Sequence, residues 1–184
     1  MENEEESRGI FRELLGWVVY ILIIVILTTL IITFVGQRTR VSGQSMEPTL
    51  HDGDNLIVDK ISYRFRDPKR YEIIVFPYKY EEKTYYIKRI IGLPGERVQV
   101  IDGYVYINGE QLDEHYGKEV MESSGIADHE ITLGEDEYFV LGDNRNHSSD
   151  SRDPSVGILK RGDLMGRAWV RIWPLNRIGV VQHE

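Results

Sequence analysis

The sequence predicts a mainly β protein, with a single N-terminal transmembrane helix followed by an antiparallel β-rich domain. Three observations carry this prediction: an uncharged apolar run near the amino terminus, short strand-like runs separated by turns, and only two Ala among 184 residues. Ala is the best helix former, whereas the abundant Val and Ile favour strands. The length fits one modest domain, and the absence of Cys excludes disulfides, Cys-based zinc sites and thiol nucleophiles.

The predicted membrane span is Leu14–Gly36, which has 23 residues and no charge. As a helix it would be about 34 Å long, enough to cross the hydrocarbon core of a bilayer. It is longer than the apolar region of a cleavable signal peptide, and no Ala-x-Ala follows it. We therefore expect a retained anchor, preceded by a short acidic tail over residues 1–13.

The charges beside the span do not predict its orientation. Two basic residues precede it, Arg8 and Arg12, and two follow it, Arg38 and Arg40. Acidic residues contribute little to the positive-inside rule, so the two sides are equivalent.

Residues 37–184 are predicted to form the β domain. The pairs Asp102-Gly103 and Asn108-Gly109 are typical of two-residue hairpin turns, and turns rather than amphipathic helices join the strand-like runs. The polar stretch 113–135 is predicted to be an excursion from the sheet. The predicted strands are Asn55–Asp59, Glu72–Phe76, Thr84–Ile91, Arg97–Ile101, Tyr104–Ile107, Tyr138–Leu141 and Arg167–Trp173.

Composition also narrows the functional class. The formal net charge of −8 makes a nucleic-acid-binding surface unexpected. The sequence has no His-Glu-x-x-His and no Cys pair, and its carboxylates are scattered, so we expect no metal and no cofactor.

The first segment that suggests chemistry is SGQSMEPTL at 42–50, directly after the span. Gly43 permits unusual backbone angles just before Ser45, and Pro48 stiffens the chain after it. Such a loop could hold the Ser45 hydroxyl in one place, as a nucleophile requires.

The second segment is YIKRIIGLPGE at 86–96, which contains two adjacent cations. In a strand Lys88 and Arg89 point to opposite faces, so only one of them is expected to face solvent. A free lysine is only about 0.04% neutral at pH 7, and burial raises that fraction by lowering the pKa. A neutral Lys88 amine could act as general base for a serine hydroxyl.

The third segment is GDNRNHSSDSR at 142–152, directly after a predicted strand. Its acid–base alternation suits charge pairs that fix a loop beneath a site, Asp143 with Arg145 and Asp150 with Arg152. Ser148 is a hydroxyl available to orient an amine.

These segments, in this order after one anchor, resemble the type I signal peptidases of bacteria. SGQSMEPTL resembles the nucleophile box of that family, YIKRIIGLPGE its lysine box and GDNRNHSSDSR its last box. KRYEIIVF at 69–76 resembles the strand box between the first two, and RIWPLNRIG at 171–179 resembles a common ending. The resemblance covers most of the chain from Ser42 onward.

The resemblance implies a serine endopeptidase with a Ser/Lys dyad, in which Ser45 is the nucleophile and Lys88 the general base. It implies that the Ser45 N–H is one oxyanion-hole donor and that Ser148 hydrogen-bonds the lysine amine. The supporting positions of the last box would be Asp143, Arg145, Asp150 and Arg152.

The resemblance further implies the substrates and the location. The partners would be secretory preproteins, cleaved after small residues at −1 and −3, and the lipid bilayer. The catalytic domain would lie on the extracytoplasmic side of a single-pass membrane protein.

Two positions depart from the family pattern. Gly43 stands where some members carry a Ser whose hydroxyl completes the oxyanion hole, so the second donor is not assigned. Arg70-Tyr71-Glu72 replaces the usual Arg-Gly-Asp, a change that we expect to be structural.

Three other interpretations remain. A Ser-His-Asp hydrolase would need a histidine base, and His51, His115, His129, His147 and His183 are available. A non-catalytic, membrane-tethered module could bind extended peptides by strand addition, although it would need neither Ser45 nor Lys88. A peptidase dedicated to one substrate cannot be distinguished from a general one by sequence.

Overall fold

The computed structural model of the protein describes residues 2–30, 36–117 and 119–183. Within them one long α-helix precedes twelve β-strands, with short 3-10 turns between several strands. The strands are β1 (Gly36–Arg40), β2 (Asn55–Asp59), β3 (Ile73–Pro77), β4 (Tyr85–Gly92), β5 (Arg97–Ile101), β6 (Tyr104–Ile107), β7 (Glu110–Gln111), β8 (Ile131–Thr132), β9 (Glu137–Leu141), β10 (Leu159–Lys160), β11 (Gly166–Trp173) and β12 (Gly179–Val180).

Helix α1 runs from Glu2 to Leu30 and contains most of the apolar stretch. Its segment Arg12–Thr29 has a mean hydropathy of 1.9 and none of it is buried against protein, so by length and composition it can cross a membrane. The helix begins at Glu2 and not at Leu14, because the Glu and Arg residues of the predicted tail are good helix formers. Residues 31–35 of the predicted span lie outside the described residues, and Gly36, its predicted last residue, begins β1 instead.

The larger sheet has eight strands in the order β1-β2-β11-β3-β4-β9-β10, with β12 paired to β11. Its strand pairs are antiparallel. This confirms the predicted fold class, and each of the seven predicted strands is present with its ends shifted by at most one residue.

The smaller sheet has four antiparallel strands in the order β7-β6-β5-β8. Asp102, Gly103, Asn108 and Gly109 all have positive φ angles, between 51° and 86°, as the mirror-image hairpin turns require. The predicted excursion contributes a short 3-10 turn and strand β8, which pairs with β5.

Apolar side chains cover both faces of β3 and β4. Ile73 and Val75 pack in one core cluster, whereas Ile74 and Phe76 pack in another on the opposite face. Strand β4 is therefore buried on both sides along most of its length. A charged side chain on this strand must find its partners inside the protein.

Candidate active site

Ser45 lies in the loop between β1 and β2. Gly43 has a φ of +89°, a conformation that glycine adopts without strain, and its N–H donates to Asp52 Oδ1 at 2.9 Å. The next side chain, Met46, is buried in the hydrophobic core and anchors the loop to it. The loop thus presents Ser45 in a defined position.

Lys88 extends from β4 to the same place. It is 4% exposed, and its Nζ donates to Ser45 Oγ at 2.8 Å and to the Ile87 carbonyl oxygen at 3.1 Å. Burial lowers the pKa of Lys88 to about 8, while the negative charges of Asp150 and Asp143 oppose part of that decrease. The two residues that the sequence singled out are in direct contact.

The expectation that one of the two adjacent cations faces solvent is wrong. Arg89 is 1% exposed, because the sheet is covered on both faces. Its guanidinium makes two hydrogen bonds to the carboxylate of Asp143, from Nε at 2.8 Å and from Nη2 at 2.7 Å. The ring of Tyr116 lies 3.7 Å from the guanidinium carbon. Arg89 is thus a charge-paired part of the core beneath the site.

Two charge pairs were predicted within residues 142–152, and the one between Asp143 and Arg145 is wrong. Asp143 binds Arg89, and it also accepts the hydroxyl hydrogen of Thr49 at 2.6 Å. Arg145 binds instead both carboxylate oxygens of Glu114, at 2.7 and 2.6 Å. The reason is that each of them has a closer partner from another part of the chain, Arg89 of β4 for Asp143 and Glu114, which follows β7, for Arg145.

The second predicted pair is present. Arg152 Nε donates to Asp150 Oδ1 at 2.9 Å, and Nη2 donates to Asp150 Oδ2 at 2.9 Å. Asp150 Oδ2 also accepts the Gly142 N–H at 3.1 Å, which closes the loop 142–152 on itself.

Asn144, which was not predicted as a site residue, joins this loop to the loop of Ser45. Its N–H donates to the Ser45 carbonyl oxygen at 3.0 Å, and its side-chain amide donates to the Gln44 carbonyl oxygen at 3.1 Å. Thr49 and Glu114 were missed as well. No local pattern marks these residues, because their partners are 31 or more residues away.

Ser148 does not bond to Lys88 in this structure. Its hydroxyl oxygen is buried and has no hydrogen-bond partner among the described residues. It packs against Gly142, where a Cβ would lie 2.3 Å from the Ser148 Oγ and 2.5 Å from the Ser45 carbonyl oxygen. The Ser148 hydroxyl therefore lies next to the loop of Ser45 but makes no hydrogen bond to the Lys88 amine.

A cleft of about 270 Å³ contains both Ser45 and Lys88. One wall is the segment 40–46 that follows β1, and the other is the segment 85–88 of β4. Strand β1 lies at the end of the sheet, and β9 pairs with β4 only from Arg89 onward, so among the described residues the outer edge of β1 and that of residues 85–88 have no strand partner. Larger hollows of about 620 and 650 Å³ lie elsewhere and contain neither side chain.

In the segment 69–76, the backbone is strained at Tyr71, the residue that stands where the resembled family usually has Gly. Tyr71 has a φ of +71°, where glycine would be unstrained, and its ring packs against that of Tyr116. The next residue, Glu72, accepts hydrogen bonds from Arg66, Tyr63 and the Lys69 N–H. These contacts are structural and lie outside the cleft of Ser45, as expected for this segment.

Of the five histidines, His147 alone lines the cleft. His115 and His129 are exposed on the surface. Burial lowers the pKa of His183 to about 4, and its Nδ1 accepts the Ile73 N–H. Among the described residues no group of three His, Asp or Glu side chains is arranged to hold a metal ion.

Several known proteins are similar to this chain in sequence. The family described as signal peptidase, peptidase S26, matches residues 14–173. A probable signal peptidase I-2 of Synechocystis is 46% identical over 165 residues, which is 87% of this chain and 73% of that protein. A signal peptidase I of Bacillus licheniformis is 36% identical over 96% of this chain and 97% of its own length.

A solved structure is also similar. The crystal structure of a signal peptidase I from Enterococcus faecalis is 36% identical in sequence, covers 55% of this chain and 97% of its own, and has a TM-score of 0.44. The family match covers most of the chain, and the relatives agree with it in name. The chain therefore belongs to the signal peptidase family, peptidase S26, and is a serine endopeptidase of the hydrolase class.

Proposed function

We propose that this protein removes N-terminal signal peptides from secretory preproteins with Ser45 as nucleophile and Lys88 as general base. The observation that carries the proposal is the 2.8 Å contact between Lys88 Nζ and Ser45 Oγ at the bottom of an open cleft. This distance is within the range that proton transfer requires.

The environment of Lys88 suits a base. With a pKa of about 8, about a tenth of the amine is neutral at pH 7, compared with about 0.03% at the ordinary value of 10.5. The neutral fraction thus increases by a factor of about 300, the net result of burial and of the opposing charges of Asp150 and Asp143.

The chemistry follows from this pair. Ser45 Oγ attacks the carbonyl carbon of the scissile bond while Lys88 Nζ takes its proton. The resulting ammonium returns the proton to the leaving amine, which departs and leaves an ester on Ser45. Water, activated by the same amine, hydrolyses that ester and restores the hydroxyl.

The Ser45 N–H donates to no acceptor among the described residues, so it is available as an oxyanion donor. The Gly43 N–H is bound to Asp52 and Gly43 has no hydroxyl, so position 43 does not supply the second donor. A donor aimed at the developing negative charge lowers the barrier of acyl transfer by about 3 kcal/mol.

The last box has the role of holding the dyad in place. Asp143 and Asp150 anchor Arg89 and Arg152, and their negative charges keep the pKa of Lys88 from decreasing further. Arg145 Nε donates to the Gly142 carbonyl oxygen at 2.9 Å, and we infer that the Ser148 hydroxyl, which has no partner among the described residues, orients the amine when substrate is bound.

The two open strand edges suit an extended peptide. A precursor segment lying between 40–46 and 85–88 can pair with backbone groups of both walls, with small residues at −1 and −3 packed against them. Helix α1 would keep the site at the membrane surface, where tethered precursors have a raised effective concentration. We further propose, from the family resemblance alone, that the catalytic domain lies on the extracytoplasmic side.

The test is cleavage of a purified preprotein with an Ala-x-Ala site by the full chain in detergent, compared with Ser45→Ala and Lys88→Ala. We expect wild type to cut after the −1 residue and both variants to be inactive while they retain the wild-type circular dichroism spectrum. Near-full activity of Lys88→Ala would refute the assignment of the base. Binding of the precursor by wild type without cleavage would favour a non-catalytic peptide-binding module.

A further inference from the structure

An open cavity of about 650 Å³ is lined mainly by cationic side chains. It shares no lining residue with the cleft that contains Ser45 and Lys88. Acidic residues outnumber basic ones by eight in the whole chain, so four cations beside one carboxylate are not explained by overall composition. The lining residues in the described chain are Arg66, Lys69, Arg70, Glu72, Arg167, Gln182 and His183.

The segment before β3 places most of these cations. The Lys69 N–H donates to Glu72 Oε2 at 3.0 Å, and the Glu72 N–H donates to the Lys69 carbonyl oxygen at 3.2 Å. These two bonds close a tight turn. Arg167 reaches the cavity from β11, where it pairs with Ile74 of β3. Two separate parts of the chain therefore bring their positive charges together.

Glu72 is shared between two guanidinium groups. Its side chain is 7% exposed, and its Oε1 lies 2.6 Å from Arg66 Nη2 and 3.4 Å from Arg167 Nη1. Arg167 Nε also lies 3.3 Å from Asp59 Oδ2, but Asp59 does not line the cavity. The one carboxylate that lines the cavity therefore has two positive charges beside it.

The cluster keeps one cation in excess. Arg70 pairs with Glu96, whereas Lys69 is exposed and its amine has no carboxylate partner among the described residues. Four cations therefore stand against three carboxylates, Glu72, Asp59 and Glu96. The side chains of the three arginines are between 21% and 31% exposed, so a ligand in the cavity can reach them.

His183 responds to the same positive charges. Burial and the charges of Arg167 and Arg89 lower the pKa of His183 to about 4, while Glu72 opposes part of the decrease. The ring is therefore neutral at physiological pH and adds no charge to the cavity. The positive charge of the cavity comes from arginine and lysine, which keep it throughout the neutral pH range.

We propose that this cavity binds a phosphate dianion, as inorganic phosphate or as the phosphate group of a monoester. Guanidinium forks and a lysine ammonium donate charge-assisted hydrogen bonds to phosphate oxygens. Two negative charges are favoured over one, because Glu72 divides its charge between two arginines and Lys69 has no partner in the described chain. The volume lies in the range of small-molecule sites, about 300–1,000 Å³, so an organic group on the phosphate has room.

The wall of this cavity also supports the core beneath Ser45 and Lys88. The carbonyl oxygens of Tyr71 and His183 accept hydrogen bonds from Arg89 Nη1, at 2.9 and 3.2 Å. Arg89 in turn binds Asp143. A phosphate that binds only the folded cavity should therefore raise the melting temperature of this part of the protein by mass action.

The test is calorimetric titration of the full chain with inorganic phosphate, in a maltoside detergent that contains no phosphate and at constant ionic strength set with chloride. We expect one site with a Kd below about 1 mM in wild type and in Ser45→Ala, because the dyad takes no part in binding. Lys69→Gln should bind at least about tenfold more weakly, through the loss of one charge-assisted hydrogen bond. Absence of binding by wild type at about 10 mM phosphate overturns the proposal.

Lys83→Gln is the matched control, because it removes an exposed lysine that does not line the cavity. Its affinity for phosphate should equal that of wild type, and phosphate should raise its melting temperature equally. The increase should be smaller in Lys69→Gln. Equal affinities of the two lysine variants would show that the cavity is not the binding site.

Dimethyl phosphate distinguishes the two sources of such a group. It carries one charge, as the diester of a lipid headgroup does, whereas inorganic phosphate carries nearly two at about pH 8. We expect inorganic phosphate to bind at least about tenfold more tightly than dimethyl phosphate. Equal or tighter binding of dimethyl phosphate would overturn the dianion and assign the cavity to a lipid headgroup.

Nuclear magnetic resonance locates the bound phosphate. The ring resonances of His183, identified by their absence from His183→Gln, should shift as phosphate is added, because the ring lines the cavity. Those of His115 and His129 should not shift, since both rings are exposed outside it. Shifts at these two histidines without one at His183 would contradict the proposed location.

Discussion

The amine of Lys88 is buried where its charged form is costly. A pKa lowered from 10.5 to about 8 means that the protein favours the neutral amine by about 3 kcal/mol relative to water. Desolvation is the main cause, and the nearby carboxylates of Asp150 and Asp143 limit its effect. Lys88 is therefore partly neutral at physiological pH, as its proposed role of general base requires.

This pKa predicts the pH dependence of cleavage. Because the neutral amine is the reactive form, kcat/KM should rise with pH and level off above a midpoint of about 8, where the buried amine loses its proton. Initial rates between pH 6 and 10, values chosen to bracket that pKa by about two units on either side, measure the curve.

His147→Gln is the control for this measurement, because His147 lines the same cleft. The profile of this variant should superimpose on that of wild type. A midpoint that disappears in His147→Gln would instead identify the histidine as the base.

The proximity of Ser45 and Lys88 could be predicted from sequence, whereas the partners of their neighbours could not. Ser45 and Lys88 stand in two motifs whose order and composition are informative. The bond between Arg89 and Asp143 joins residues 54 positions apart, and the alternation around Asp143 favoured Arg145, which is closer in sequence but directed elsewhere. A single sequence contains no information on such distances.

At the scale of elements, the loop 142–152 depends on a glycine at its first position. A Cβ on residue 142 would meet both the Ser148 Oγ and the Ser45 carbonyl oxygen at less than 3 Å. One of these two atoms is the backbone carbonyl oxygen of Ser45, which cannot rotate away as a side chain can. Gly142 therefore sets how closely the two loops approach.

Gly142→Ala should displace Ser45 relative to Lys88 and reduce kcat by about 100-fold, the effect expected for a shift of about 1 Å. The free energy of unfolding should decrease by about 1–3 kcal/mol through overpacking. Gly162→Ala is the matched control, since a Cβ there meets no atom within 4 Å. Equal activity of the two variants would show that the close approach is not required.

The elements themselves were predictable to different degrees. The seven predicted strands, of four to eight residues, have the apolar and β-branched pattern that sequence reveals, and the Asp-Gly and Asn-Gly turns mark two of the hairpins. Strand β1 was not predicted, because its residues Gly36–Arg40 have no apolar alternation. The two-residue strands β7, β8, β10 and β12 were not predicted either. They are too short for a pattern and form because neighbouring strands offer unpaired backbone groups.

At the scale of the whole molecule, one ion pair connects the two sheets near the site. Arg145 belongs to the loop after β9 of the larger sheet, and Glu114 follows β7 of the smaller sheet. Their side chains are 2% and 13% exposed, and Arg145 Nε also holds the Gly142 carbonyl oxygen. The smaller sheet thereby contributes to the position of the loop 142–152, although none of its strands lines the cleft.

Glu114→Gln should leave the buried guanidinium of Arg145 without a counter-charge and lower the free energy of unfolding by about 3 kcal/mol. Glu130→Gln is the matched control, because its bond to Arg97 lies on the surface and is worth at most about 1 kcal/mol. Denaturant titration of both variants in detergent, followed by circular dichroism, measures the difference. Since Arg145 also holds Gly142, only Glu114→Gln should lower kcat under conditions in which both variants are folded. Equal losses of stability in the two variants, or unchanged kcat in Glu114→Gln, would contradict a connection between the smaller sheet and the dyad.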